Sequence, residues 1–161
     1  MAPQLGISLH IASERAMDYE ADAYRPEKEG TLMRKLELTI PTEKSFDEAV
    51  AAVERNTVAK GFRVLHTHDV AATLAEKGFR REPLKIVEIC NAKYANEVLQ
   101  KDITVALMLP CPIAVYCQDG KTHISTMLPS IIGEFFPGKG IEPIAAQVEK
   151  AVVEIVNESA K

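Results

Sequence analysis

The dipeptide Asp119-Gly120 is the feature that most restricts the fold, because it joins two runs with strand character. Residues 113–118 precede it and residues 121–127 follow it, and an Asp-Gly pair between such runs is typical of a two-residue β-hairpin. A hairpin makes its two strands antiparallel neighbours, whereas parallel neighbours need a long crossover. The C-terminal part of the chain therefore predicts an antiparallel sheet and excludes a doubly wound fold.

The segment before this hairpin begins with a strand and a capped helix. Residues 32–40 alternate apolar and polar side chains, which is typical of a half-buried strand, and Pro41 is expected to end it. Ser45 and Glu48 then form a capping-box pattern at the start of a helix. Gly61 is placed to end that helix, because glycine readily adopts the left-handed backbone of a C-cap.

A second strand and helix follow immediately. Residues 62–68 alternate, and the alternation places His66 and His68 on the same face as Val64. Asp69 is a favourable N-cap for a short helix after this strand.

The middle of the chain repeats this arrangement. Residues 84–90 predict a third strand, and Asn91 is a suitable N-cap for the helix that follows. Residues 103–109 are almost entirely apolar, which predicts a central strand covered on both faces, or on one face and by a partner. Pro110 and Pro112 are expected to interrupt that strand around Cys111.

The C-terminal region ends in a helix. Residues 128–136 predict a short helix or an apolar loop, and residues 141–155 carry apolar side chains at helical spacing. The predicted order is β-α-β-α-β-α-β-β-β-α, an α+β fold with helices on one face of a mostly antiparallel sheet. We predict one domain over residues 31–161, preceded by an N-terminal arm over residues 1–30.

Composition excludes several classes of function. The net charge is −4 and no basic run is present, which argues against nucleic-acid binding. The longest apolar run, residues 103–117, is broken by prolines and is too short to span a bilayer. The N-terminus lacks the basic and apolar regions of a secretory signal, so we expect a cytoplasmic protein. Three cysteines without CxxC spacing indicate reduced thiols rather than a disulfide framework.

Two cysteines are candidate catalytic residues. Cys90 precedes the helix that Asn91 caps, and a helix N-terminus favours a reactive thiolate. Cys111 lies between Pro110 and Pro112, where the backbone lacks donors and is open to a ligand or partner. The alternative for both residues is a structural role, Cys90 as a small buried apolar side chain and Cys111 as filler where the chain turns.

Two histidines and two caps are candidate binding residues. His66 and His68 lie two apart on a strand and present both imidazoles to one face, and His68 is adjacent to Asp69. The alternative is an ordinary polar surface. Asn91, which is adjacent to Cys90, is the fourth candidate binding residue. No HxxxH or CxxC spacing organises these residues, so we predict no metal site, and no motif names a cofactor.

These motifs, taken together, are similar to a known family, the domain of unknown function 302. The segments that carry the resemblance are Phe62-Arg63-Val64-Leu65, His68-Asp69-Val70, Leu74 with Lys77-Gly78, Ile89-Cys90-Asn91, Leu109-Pro110-Cys111, Val115-Tyr116 and Asp119-Gly120. The resemblance covers about residues 36–127 and implies a TATA-box-binding-protein-like fold with helices against a curved antiparallel sheet. It also implies dimerisation, and it implies no established reaction. The arm before residue 30 and the thiol of Cys117 depart from the family pattern.

Two functional hypotheses are compatible with the sequence. In the first, a pocket containing Cys90 and Cys111, with His68 and Asp69 close by, handles a sulfur species, a thiol redox change or a soft metal. In the second, the chain is a non-catalytic module that binds a small ligand or another chain, and its cysteines are structural.

A homodimer is the expected assembly. The apolar run 103–109 and the pair Phe135-Phe136 offer more apolar surface than the short helices cover, and such surface usually marks an interface. The arm over residues 1–30 would then reach across to the second subunit. The alternative is a monomer in which the C-terminal helix covers the sheet completely.

Overall fold

Residues 36–161 of the protein are described here from a computed structural model. The predicted arm over residues 1–30 and the predicted strand residues 32–35 lie outside this range. Over the described residues the chain forms five strands and five α-helices, so the α+β class is confirmed.

The five strands form one sheet in the order β1-β5-β4-β3-β2, and every neighbouring pair is antiparallel. Their bounds are β1 Glu37–Thr42, β2 Arg63–Asp69, β3 Leu84–Cys90, β4 Cys111–Gln118 and β5 Lys121–Met127. The first strand thus joins the sheet at an edge beside the last one. The β4–β5 hairpin turns at Asp119 and Gly120, whose φ angles of 52° and 73° are both positive, and this prediction is confirmed.

Three of the helices connect consecutive strands, and two follow the last strand. They are α1 Phe46–Ala59, α2 Val70–Ala75, α3 Ala92–Lys101, α4 Ile132–Phe135 and α5 Glu142–Ala160. The capping box of α1 is confirmed, because Glu48 N donates to Ser45 Oγ while Ser45 N donates to the Glu48 carboxylate. The predicted caps Asp69 and Asn91 are also confirmed.

The apolar run 103–109 is not a strand, and that prediction was wrong. Ile103–Met108 forms a 3-10 helix whose first turn is held by Asp102, which accepts a hydrogen bond of 2.9 Å from Thr104 N. Val105 is fully buried, but Ile103 and Leu107 are 71% and 85% exposed. A continuous apolar run has no period, so it cannot distinguish a covered strand from a helix.

Prolines do not end strands where the sequence suggested. Pro41 lies inside β1, which tolerates it because an edge strand needs hydrogen bonds on one side only. Cys111 and Pro112 are the first two residues of β4 rather than a break in a preceding strand.

A β-bulge at Leu65 overturns the predicted face of β2. Val64 pairs with Ile89 of β3, whereas His66 pairs with Glu88, so Leu65 is an extra residue in the ladder. An extra residue transfers all later side chains to the opposite face. His66 and His68 therefore lie on the face of the sheet opposite to Val64.

The main core lies between one face of the sheet and helices α1 and α5. Its fully buried side chains include Val53 of α1, Val87 of β3, Ile113 of β4 and Ile155 of α5. A second apolar cluster joins α3, the 3-10 helix Ile103–Met108 and the start of α5. Phe136 packs against this cluster, while Phe135 is 66% exposed. Within residues 36–161 no helix has the length and hydropathy of a membrane span.

Candidate functional site

Cys90 and Cys111 lie close together at one end of the sheet. Cys90 is the last residue of β3 and Cys111 is the first residue of β4. Ile89 pairs directly with Cys111, so the two cysteines are diagonal neighbours on adjacent strands. Both line one apolar cavity, here called the thiol cavity.

This thiol cavity is lined by the ends of β3 and β4, by α3 and by α5. Tyr94, Val98, Ile144 and Val148 contribute most of its helical wall. Its volume is about 30 Å³. That volume accommodates one or two atoms of a guest, whereas sites for metabolite-sized ligands occupy roughly 300–1,000 Å³. A cavity with such an apolar wall is expected to stay dry, because a buried water needs polar partners.

Burial sets the protonation state of both thiols. It raises the pKa of Cys90 above its ordinary value. Burial, with a smaller contribution from a charge on Cys90, raises the pKa of Cys111 to about 11. Loss of hydration disfavours the charged thiolate form of both side chains. Both side chains are therefore neutral thiols near pH 7.

The predicted binding residue Asn91 is fully engaged in holding the backbone. Its Oδ1 accepts hydrogen bonds from Lys93 N at 3.1 Å and from Tyr94 N at 3.3 Å. Its Nδ2 donates to Gly61 O at 3.0 Å. This side chain fixes the start of α3 to the end of α1 and has little capacity left for a ligand.

The two histidines form a separate group at the β2 edge. His68 Nε2 lies 3.0 Å from Glu88 Oε1, and the His66 ring meets the His68 ring edge-on at a centroid distance of 4.3 Å. Asp69 caps α2 by accepting from Ala72 N at 2.8 Å, and it lies 3.9 Å from Lys85 Nζ. Glu88 was missed by the sequence reasoning, since the bulge that brings it opposite His66 has no local signal.

The structure thus divides the predicted site. Among residues 36–161, the wall of the thiol cavity includes Cys90, Cys111 and Asn91 but none of His66, His68 and Asp69. In the same part of the chain, no three His, Cys, Asp or Glu side chains are placed to hold a metal ion.

Within residues 36–161, α1 and α5 cover one face of the sheet and leave the opposite face bare, here called the uncovered face. The strand register arranges its side chains in three rows. From β1 toward β2, these rows are Pro41, His123, Tyr116 and Leu84; Thr39, Ser125, Ala114, Ile86 and His68; and Glu37, Met127, Pro112, Glu88 and His66. The charged groups of this face stand on or beside the edge strands or, in the case of Lys121, at the hairpin end of β5. The three middle strands otherwise carry mainly apolar or uncharged side chains.

Two side-chain contacts organise the centre of the uncovered face. Tyr116 and His123 stack with ring centroids 5.2 Å apart and an interplanar angle of 13°. The hydroxyls of Thr39 and Ser125 are hydrogen-bonded at 2.6 Å. The Tyr116–His123 pair could have been found from the sequence, because the two residues are equally distant from the Asp119-Gly120 turn and must face each other in a two-residue hairpin.

Comparison with known proteins places this arrangement in one family. The family model described as domain of unknown function DUF302 matches residues 38–159. The crystal structure of an uncharacterized conserved protein DUF302 from Bacillus stearothermophilus is similar, with 27% sequence identity and a TM-score of 0.74. That similarity covers 80% of this chain and 100% of the other. No curated protein matched. The fold and the motifs agree with the match over most of the chain: the protein belongs to the DUF302 family.

Proposed function

We propose that this protein is a non-catalytic assembly module in which the uncovered face of the sheet binds a second copy of the chain. One observation carries the proposal: the middle of this face holds no Asp, Glu, Lys or Arg side chain, while these charged groups lie toward its margins. Specific interfaces show this distribution, with charged residues depleted at the centre and enriched at the rim. The cysteines are then structural residues at the end of the core.

The edges of the sheet favour pairing through the face. Pro41 in β1 cannot donate a backbone hydrogen bond, and the bulge at Leu65 distorts β2. Both features are typical devices against edge-to-edge strand pairing. Because these edges disfavour extension of the sheet, a second copy would pack on the uncovered face instead.

The size of the uncovered face suits a dimer. Five strands spaced at about 4.8 Å and six to eight residues long give a flat footprint of roughly 500 Å². Side chains standing on that footprint increase its accessible area toward the roughly 800 Å² per partner of a standard interface. Face-to-face packing of two sheets at a separation of about 10 Å is a common arrangement.

A charge at the centre of the face tests the proposal. Ala114 lies between Ile86 and Ser125 in the middle row, so Ala114→Arg should convert a dimer into a monomer at micromolar concentration. The matched control is Val58→Arg, because Val58 is 66% exposed on α1, on the other side of the sheet. Light scattering should report a dimer for the wild type and the control. A wild-type monomer, or an Ala114→Arg dimer, would overturn the proposal.

A small apolar ligand is the competing occupant of the same face. A groove of about 330 Å³ runs past Ile86, Pro112 and Met127, and this volume lies within the range of ligand sites. A monomeric wild type that binds an apolar fluorescent dye, with binding lost in Ala114→Arg, would support a ligand site instead of a dimer.

Thiol chemistry is the second candidate function, supported by the shared cavity of Cys90 and Cys111. It requires at least one thiol that reacts quickly near neutral pH, and it requires room for a substrate beside that thiol. The small cavity and the two raised pKa values favour the assembly module over this candidate.

A further inference from the structure

We infer that His123 makes the association of two copies pH-sensitive, so that protonation of this imidazole separates the subunits. The inference rests on the proposed dimer and adds regulation of its association by pH. Imidazoles generally change charge between pH 5 and 8, so a histidine inside an interface can switch that interface in this range. Such a switch requires that the histidine lie within the interface and that its cationic form find no compensation there.

The first requirement follows from the position of His123. It lies on β5, paired with Tyr116 on β4 and with Pro41 on β1, and it is already half-buried in the single subunit. Its ring stacks on Tyr116, and no hydrogen-bond partner reaches its buried Nδ1 within the described part of the chain. A second subunit on this face would cover the remaining exposed edge of the ring.

The second requirement follows from the neighbours of His123 on the uncovered face. Its titratable or charged neighbours by register are Tyr116 across the hairpin and Lys121 two residues along β5. The other neighbours are neutral: Thr39, Pro41, Ala114, Gln118 and Ser125. Along the paired residues of β1, β4 and β5 the register thus places no carboxylate beside this ring, and the carboxylate of Glu43 follows one residue beyond the last pair of β1. An imidazolium covered by a second subunit would be a buried charge without a partner among these strand neighbours of its own subunit, which is strongly unfavourable.

The two other histidines of the described chain differ in this respect. His68 Nε2 lies 3.0 Å from the Glu88 carboxylate, and the His68 side chain is 46% exposed at the sheet edge. His66 lies against His68 and opposite Glu88. A proton on His68 would form an ion pair with Glu88 instead of an isolated charge. The edge histidines therefore serve as internal controls for His123.

The test is the dimer dissociation constant of the full chain as a function of pH. If the dimer forms only when this histidine is neutral in each subunit, acid raises the dissociation constant. The rise is up to about tenfold per subunit for each unit that the pH falls once the imidazole is mostly protonated in the monomer. We expect sedimentation velocity to show at least about a tenfold rise between pH 7.5 and pH 5.5. A dimer with a constant affinity over this range would overturn the inference and leave the proposed dimer intact, whereas a monomer at pH 7.5 would overturn the proposed function itself.

Variants assign the effect to one residue. His123→Gln and His123→Phe should dimerise at pH 7.5 and lose most of the pH dependence, and His123→Phe retains an aromatic ring against Tyr116. His68→Gln should keep the wild-type pH dependence. Circular dichroism at both pH values verifies that each variant is folded. If either folded His123 variant shows the full wild-type rise, or if His68→Gln abolishes it, His123 is not the switch.

Discussion

Cys90 and Cys111 line the same cavity but differ in how far they are buried. Cys111 has 9% of its surface exposed, while Cys90 is partly exposed at the end of β3. The sequence indicated a helix N-terminus beside Cys90, and the structure confirms that Asn91 caps that helix. It could not indicate the apolar wall of α3 and α5, which is built by residues distant in sequence. A local signal thus predicted the cap correctly, whereas the protonation of the thiol depends on tertiary packing.

Alkylation of the native protein measures this difference. A thiol with a pKa of about 11 has about one part in ten thousand as thiolate at pH 7, so Cys111 should label with iodoacetamide only when the protein unfolds. Cys90 should label more slowly than the same residue in urea. Peptide mass spectrometry of native and urea-unfolded samples distinguishes the sites. Rapid native labelling of either residue at neutral pH would restore the thiol-chemistry hypothesis.

The raised pKa of Cys111 also predicts a loss of stability in alkali. The folded chain holds this proton up to about pH 11, while the unfolded thiol releases it near its ordinary pKa of 9.0. This group therefore leaves stability unchanged below about pH 8 and lowers it as pH rises from about 9 to 11, by up to roughly 2–3 kcal/mol.

The control for that prediction is Cys111→Ala, which removes the titrating group. Urea unfolding of both proteins between pH 8 and 10.5 should show the wild type losing more stability than the variant. Parallel curves for the two proteins would contradict the assignment, because other alkaline titrations, such as that of Lys60, are common to both.

Helix caps were the most predictable features of the individual elements, since each cap depends on residues three positions apart. The contribution of a cap to the free energy of unfolding nevertheless depends on what its helix packs against. Helix α1 buries Ala49, Val50 and Val53 in the main core, whereas α2 has no buried residue.

Paired cap variants test this dependence. Ser45→Ala should lower the free energy of unfolding by about 1 kcal/mol, because it removes a capping box from a core helix. Asp69→Ala removes the cap of α2 and should have a smaller effect on global unfolding, since α2 can fray without exposing the core. Equal losses for the two variants in urea denaturation would contradict this view.

Elements whose identity depends on distant contacts were less predictable. The run 103–109 offered only apolar character, and its conformation follows from Asp102 at its start and from the burial of Val105 among other helices. The bulge at Leu65 depends on the pairing of β2 with β3. Neither feature has a short-range signature, and the bulge alone decides which face carries His66 and His68.

For the whole molecule, the sequence predicted the α+β class and helices against an antiparallel sheet, but not the order of its strands. The pairing of β1 with β5 brings together segments about 80 to 90 residues apart in the sequence, and no local sequence pattern predicts it. That pairing determines which side chains share the uncovered face. The sequence alone therefore indicates residues 103–109 and Phe135-Phe136 as the interface, and the dimer itself stays a prediction.

Truncation separates the uncovered face from the N-terminal residues as the source of assembly. A chain that begins at Leu36 retains every residue in the three rows of the uncovered face. We expect this variant to dimerise with an affinity within a few-fold of the wild type by analytical ultracentrifugation. A monomeric truncated chain with a wild-type melting temperature would instead assign the assembly to residues 1–35.

The place of α5 in the core has a consequence for how the protein is made. Val152, Ile155 and Val156, all fully buried, lie within the last ten residues of the chain, and Thr42 Oγ1 donates to Ala160 O across 118 positions. During synthesis the N-terminal strand and α1 emerge long before these partners exist. The main core can close only once α5 has emerged from the ribosome, so the domain depends on this helix to shield the sheet.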